Sequence, residues 1–411
     1  MPERTVRGIR QRFAASALNY RALQVAGRQV PRLGRGWMPW LGLDRYPAPA
    51  LPGPEWVRVT PTLSGVCGTD MALLTGRASA IMSPFASFPA VLGHEVAGVV
   101  SELGGGVKGY AIGQRVVLDP LLGCTVRGLE PCRWCAAGQL GLCERTADGA
   151  FSPGPMLGFC SDLPGGWSDE LVAHASQLHA VPDGLGDEVA VLVEPLSVAL
   201  HAVLAAPPKA GERVLVIGGG TLGLCVVAAL RMVAIGAEVT IAVRHRAQRE
   251  MAERLGAGAV AADAVDAAVE HAGARRFRPL VGNDVLVGGF DQVYDCVGSE
   301  DSLDAALRTA RPRGRVVVPG GPGRIGGLDW TLVWTRELAI SGSYVYGRED
   351  NLEGAPHTID AAMRMLAEHP QLPVGELVTH RFGLDQWRAA MAAALDRRGS
   401  GALKIAFQPQ G

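Results

Sequence analysis

The chain has 411 residues, with 39 Lys+Arg against 40 Asp+Glu and eight cysteines. This length predicts two or three domains around a large core, and a net charge near zero with no long basic run argues against nucleic acid or an anionic membrane surface as the main partner. No apolar run approaches the roughly 20 residues that span a bilayer, and the Arg-rich start MPERTVRGIRQRFAASALNYRALQ lacks the unbroken apolar core of a secretory signal, so the cytoplasm is the expected compartment, with an organelle transit peptide as the alternative.

Residues 1–50 are dominated by Arg, Gly and Pro and read as an irregular extension, partly ordered or forming a distorted first hairpin. Trp37 and Trp40 are expected to pack on the domain body, with an oligomer contact as the alternative. From Glu55 the pattern changes: WVRVTPTLSGVCGTD alternates apolar and polar residues as a half-buried strand does, then breaks at Gly65. Short strands with glycine turns continue through VLGHEVAGVVSEL, GQRVVLDP and WSDELVAHASQLHAVP, which predicts a compact β-rich domain to about residue 190.

That domain contains two groups of metal-ligand residue types. Cys67 ends the strand, and His94 and Glu95 sit in PAVLGHEVAG; thiolate, imidazole and carboxylate are the ligand types of a catalytic zinc with one position left open. Cys124, Cys132, Cys135 and Cys143 follow with seven, two and seven residues between them. The central CxxC bites one tetrahedral ion, and four thiolates close the site, which makes it structural and able to contribute on the order of 10–16 kcal/mol to folding. Glu194, in VLVEPLSVALHAV, is a carboxylate in an apolar segment, where burial without a partner is costly. Each of these residues also has an ordinary reading: Cys67 as a small core residue, His94 as a hydrogen-bonded core histidine, Glu194 as a helix N-terminal charge.

Residues 213–223, RVLVIGGGTLG, read as a buried strand, a glycine turn and the start of a helix. Gly218 permits the turn, Gly220 lets the backbone approach a pyrophosphate, Gly223 permits close helix packing, and Thr221 and Leu222 open the helix whose N–H groups meet the anion. About 20 residues on, an NAD site places Asp or Glu. This chain has Arg244, His245 and Arg246 there, a set suited to the 2′-phosphate of NADP, with NAD as the alternative and a solvated basic turn as the plain reading. Glu238 lies at the wrong end of the same strand. FDQVYDCVGS and GRVVVPGG read as further parallel strands joined by a helix, and residues 263–289 exceed the loop expected there and read as a lip over the adenine or a subunit contact. A helix in HTIDAAMRMLAEH precedes a return through LVTHRFG and ALKIAF, with Arg381 a distant cofactor contact.

Taken in this order, SGVCGTD, GHEVAG, the four-cysteine lobe, VEPLSVALHA and VLVIGGGTLG resemble the zinc-dependent medium-chain dehydrogenase/reductase family, from about Glu55 to the C-terminus. The resemblance implies an α/β chain with a GroES-like β-rich catalytic domain (51–196 and 344–411) and a doubly wound Rossmann domain (197–343). It also implies Cys67 and His94 as catalytic zinc ligands, with Glu95 or Glu194 as the third and the other exchangeable. Thr69 resembles the hydroxyl that passes the substrate proton onward, Asp70 a supporting carboxylate, and a homodimer or homotetramer is the family expectation. Glu-Pro-Leu-Ser at residues 194–197 leans toward the polyol, sugar and threonine branch, while the long spacing from Cys124 to Cys132 and the first fifty residues depart from the family pattern.

The activity implied is zinc-assisted hydride transfer between NADP(H), or NAD(H), and a secondary alcohol, polyol or sugar and its carbonyl. The rival readings are a zinc-independent quinone or enoyl reductase, a non-catalytic nucleotide-binding protein of the same fold, and a metal-assisted hydrolase.

Overall fold

The computed structural model describes residues 4–13, 16–27 and 38–411, so Trp37 lies outside the described residues. The chain divides into two units: Met1–Glu194 with Ile359–Met363 and Val378–Gly411, and Pro195–Thr358 with Arg364–Leu377. Residues 344–358 and 364–377 thus group with the second unit, whereas the resemblance implies a place for them in the GroES-like domain.

In the first unit a seven-stranded sheet runs in the order Val378–Phe382, Lys404–Phe407, Trp56–Gly65, Val96–Leu103, Arg115–Leu118 and Leu178–Ala180, with Leu171–His174 paired to Trp56–Gly65. The strand Trp56–Gly65 is more buried than its alternation predicts, and only Thr60 and Thr62 are partly exposed. The reason is its central place: three strands pair with it, and its one charge, Arg58, is taken up by Glu102 at 2.7 Å and the Pro49 carbonyl at 2.7 Å. The fully buried Trp167 donates to the Gly65 carbonyl (2.9 Å) and packs edge-on against Phe407. A side chain at Gly93, where φ is +98°, would run into that indole, so glycine is required just before His94.

The N-terminal residues are more regular than their composition suggests. Thr5–Gln11 and Leu41–Pro47 pair antiparallel over seven residues, and Ala90–Val91 completes a three-stranded sheet. Arg7 fastens this sheet by donating to Asp169 (2.8 Å) and to the Pro409 carbonyl (3.1 Å). The intervening helix Ala17–Gly27 places Tyr20 against the Ala78 carbonyl, and Trp40 donates to the Leu74 carbonyl at 2.9 Å, so Trp40 packs on the body of its unit.

The second unit carries a six-stranded parallel sheet in the order Ala259–Ala261, Glu238–Ala242, Arg213–Ile217, Phe290–Asp295, Ala310–Val318 and Ala339–Gly342. In chain order that is third, second, first, fourth, fifth, sixth, the doubly wound arrangement whose switch point lies between the first and fourth strands. Residues 263–289 form a helix, Ala264–Ala272, and a two-stranded hairpin of Arg275–Phe277 with Val285–Val287. Gly218 takes φ +102°, and a Cβ on Gly223 would collide with the Gly218 carbonyl oxygen, whereas a Cβ on Gly220 would meet nothing within 4 Å.

These spaces set an expectation for stability. Gly223→Ala should cost about 1–3 kcal/mol through overpacking, and Gly220→Ala no more than about 1 kcal/mol as a changed N-cap. Urea unfolding of both variants checks the ranking; equal losses would contradict it.

Candidate active site

Cys67 is the N-cap of the short helix Gly68–Leu74, with extended backbone at φ −89° and ψ 157°. Asp70 sits at the third helical position and its Oδ2 accepts from the Cys67 N–H at 2.9 Å, the arrangement of a capping box. Sequence-local capping therefore fixes where the thiol stands. Thr69, between them, is exposed, with its hydroxyl 3.6 Å from Cys67 Sγ.

His94 and Glu95 reach the same place from the segment ahead of the strand Val96–Leu103. One donor atom from each of Cys67, His94 and Glu95 lies within 4.8 Å of the others. Glu194, near the start of the helix Val193–Leu204 and 5 % exposed, stands outside that group. The second oxygen of Asp70 lies 3.4 Å from His94 Nδ1. Asp70, His94 and Glu95 are 0, 4 and 1 % exposed, and Asp70 Oδ1 and His94 Nδ1 make no hydrogen bond. Burial pulls the His94 imidazolium down, but the charges of Asp70 and then Cys67 outweigh it and hold His94 well above its ordinary value. Phe159 flanks the imidazole with ring centroids 5.8 Å apart, and Phe88 meets Phe159 edge-on.

Two further residues reach the cluster from the far end of the chain. Lys404, 1 % exposed, forms an ion pair with Glu95 Oε2. Arg397, half-buried, has its guanidinium lowered by desolvation, offset by the charges of Cys67 and Glu95. The sequence reading missed both. The available signal was a lysine inside the apolar run ALKIAF, the same kind of anomaly that drew attention to Glu194.

The four-cysteine lobe is equally well gathered. Cys124, Cys132, Cys135 and Cys143 bring their sulfurs within 4.8 Å of one another, with Cys124 and Cys143 3.7 Å apart. The seven residues between Cys124 and Cys132 therefore do not prevent Cys124 from joining the group. Burial works against the Cys132 thiolate, but N–H donors led by Cys135 and Glu144 bring that thiol to about 6. Burial drives Cys135 and Cys143 upward. Four crowded sulfurs cannot all ionise without a cation among them, so the lobe suits a metal ion. Beneath it, buried Arg127 donates to the carbonyls of Leu122, Asp148, Phe151, Ser152 and Gly154 and ties the surrounding loops together. All eight cysteines are free thiols.

In the second unit, Gly220 caps the helix Thr221–Val233 with no side-chain bond and no acidic residue in the first turn. N–H groups at a helix N-terminus are the kind of donors that suit an anion. Arg244 is exposed just beyond Val243, and His245 caps the helix Arg246–Arg254. Arg246 is engaged with Glu250 at 2.6 Å. Glu238 opens its strand at the opposite end. Arg381, in the first unit, pairs with Glu188 at 2.7 Å. Among the described residues no helix is long and apolar enough to cross a membrane.

Comparison with known proteins agrees with both units. Residues 53–183 match the family "Alcohol dehydrogenase GroES-like domain" and residues 221–368 match "Zinc-binding dehydrogenase". The chain is 31% identical to 2-dehydro-3-deoxy-L-galactonate 5-dehydrogenase of Pseudoalteromonas atlantica, over 72% of this chain and 77% of that protein. It is 30% identical to L-idonate 5-dehydrogenase of Vitis vinifera, over 89% and 91%. The fold is similar to that of the solved 2R,3R-butanediol dehydrogenase of Bacillus subtilis, with a TM-score of 0.70 at 22% identity, covering 98% of this chain and 99% of that one. On these matches the chain belongs to the zinc-dependent medium-chain dehydrogenase/reductase family.

Proposed function

We propose that this oxidoreductase transfers a hydride between NADP(H), with NAD(H) as the alternative, and a secondary alcohol, polyol or sugar and its carbonyl. The observation that carries the reading is the gathering of a thiol, an imidazole and a carboxylate within 4.8 Å, with the buried His94 Nδ1 and the facing Asp70 Oδ1 making no hydrogen bond. That donor set fits a zinc ion. Cys67 and His94 would hold it with a carboxylate from Glu95 or Glu194, and the four cysteines would hold a second, structural ion. When bound, zinc supplies Lewis acidity toward the substrate oxygen and the nicotinamide supplies the hydride acceptor.

The chain's own residues do the remaining work. Asp70 fixes the Cys67 backbone through its 2.9 Å bond and faces His94 Nδ1, which orients the ring. Thr69, exposed next to the thiol, takes the substrate proton toward solvent. Phe159 and Phe88 keep water from one side of the imidazole. Gly220 and the first turn of its helix present N–H groups to a pyrophosphate. Arg244, His245 and Arg246 stand together at the strand end for the 2′-phosphate, Arg244 exposed and Arg246 in a solvent-exposed pair with Glu250 that a phosphate can displace. A reducing, cytoplasmic setting and a homodimer or homotetramer complete the reading, the first supported by a four-cysteine lobe gathered as metal ligands are.

Three outcomes are expected. Folded Cys67→Ser and His94→Ala proteins should lose turnover by about a thousandfold or more, read from nicotinamide absorbance; full turnover in either would remove the metal role. Arg244→Ala should shift the kcat/KM ratio of NADP over NAD toward NAD by about tenfold, and an unchanged ratio would leave the arginine a solvated surface residue. The third outcome concerns protons. A histidine held above its ordinary value of about 6.5 lends the metal-free protein stability that is complete below that pH and lost as pH rises through the raised value. Asp70→Asn removes the largest cause of that rise, so the His94 midpoint in the metal-free protein should fall in an NMR titration.

A further inference from the structure

The thiol of Cys67 and the hydroxyl of Thr69 are carried by one small element, the helix Gly68–Leu74. Seven residues make about two turns, too few for a helix to hold itself in place. Its start is fixed by Asp70. At its end, the turn that follows takes three carbonyls: Thr75 N–H donates to Met71 at 3.0 Å, Arg77 N–H to Ala72 at 2.8 Å and Gly76 N–H to Leu73 at 3.1 Å. The carbonyl of the fully buried Leu74 accepts instead from a distant residue, the indole Nε1 of Trp40, at 2.9 Å.

The helix Ala17–Gly27 meets the same turn. A Cβ on Gly27 would collide with the Thr75 carbonyl, and one on Gly76, where φ is +65°, would stand 2.6 Å from the Leu23 carbonyl oxygen. Two glycines thus let backbone lie directly on backbone. Leu23 is buried there, and the Tyr20 hydroxyl donates to the Ala78 carbonyl. Met38 and Leu41, on either side of Trp40, share one apolar core with Met71 and Leu74, and Trp40 packs against it. Residues whose composition reads as an irregular extension therefore grip the far end of the element whose near end presents the thiol.

We propose that Trp40 is a positioning residue: together with the helix Ala17–Gly27 it holds Gly68–Leu74 by its carbonyl end, and so sets where Cys67 and Thr69 stand for the reaction. The inference rests on the zinc-dependent reading above. A buried carbonyl deprived of its donor is drawn toward another one, and the short helix moves with it. A displacement of about 1 Å at the reacting groups is enough to slow the chemistry by about a hundredfold. The glycine turn that would hold the cofactor lies in the second unit and is untouched, so kcat should change and the cofactor KM should not.

The test uses Trp40→Phe, which keeps an aromatic ring and removes the N–H, in the full-length chain. The zinc-loaded protein gives kcat and the cofactor KM. The metal-depleted protein takes Co2+ as a spectroscopic probe, with the Cys67→Ser spectrum subtracted to remove the four-cysteine contribution. Trp40→Phe should lower kcat about 10–100-fold at an unchanged cofactor KM and displace the Cys67-dependent Co2+ band, and Tyr20→Phe should act in the same direction by less. A variant that is only less stable to urea, with the parent's kcat and Co2+ band, would reveal a structural role alone and overturn the proposal, as would a loss confined to the cofactor KM. If Trp40→Phe does not fold, Tyr20→Phe decides by the same two readouts: a lower kcat with a displaced band supports the proposal, and parent values overturn it. A parent protein without a Cys67-dependent band would overturn the zinc-dependent reading and this proposal with it, whereas a parent band that Trp40→Phe leaves unmoved overturns this proposal alone.

Discussion

The cost of a charge without water organises the first unit. Asp70, His94, Glu95 and Lys404 are all withdrawn from solvent, and each must find a partner inside the protein. Asp70 does so twice, through the Cys67 N–H and His94, and Glu95 does so through Lys404. The strand Trp56–Gly65, the capped helix behind Cys67, the turn before His94 and the last strand of the chain converge because those charges are satisfied only where these elements meet.

This constraint separates what the sequence reveals from what it conceals. The capping of Cys67 by Asp70 spans four residues, and the glycine turn spans six, so each is legible as a local pattern. The four cysteines are legible because no other reading accounts for so many thiols in one stretch. Lys404 is not, because its partner is Glu95, more than three hundred positions away, and nothing local marks which buried carboxylate it meets. Glu194 shows the converse: the motif that contains it is plain, yet it stands outside the group formed by Cys67, His94 and Glu95.

Composition misled where pairing decides structure. Residues 4–11 and 41–47 look irregular because Arg and Pro carry little strand signal, yet Thr5–Gln11 and Leu41–Pro47 gain a full antiparallel ladder and an anchor at Asp169. In the second unit, residues 263–289 read as an overlong loop because the short strands of its hairpin carry little buried pattern, Arg275–Phe277 being wholly exposed and only Leu286 of Val285–Val287 buried. Alternating burial makes a strand visible as a pattern, and one buried residue in six does not supply it.

Glycine carries two different messages in this chain, and the distinction bears on the site. At Gly218 and Gly93 the backbone is left-handed, and a turn motif is enough to suspect it. At Gly65 and Gly223 the backbone is ordinary, and the missing side chain makes room, for the Lys404–Glu95 pair in one case and for the helix against the Gly218 turn in the other. Gly65 thereby reports on an interaction between distant segments, whereas Gly223 reports on a turn five residues before it. Gly65 sits two residues before Cys67, so the room for a buried ion pair is provided on the strand that also delivers the thiol, which couples the placement of the carboxylate to the placement of the donor beside it.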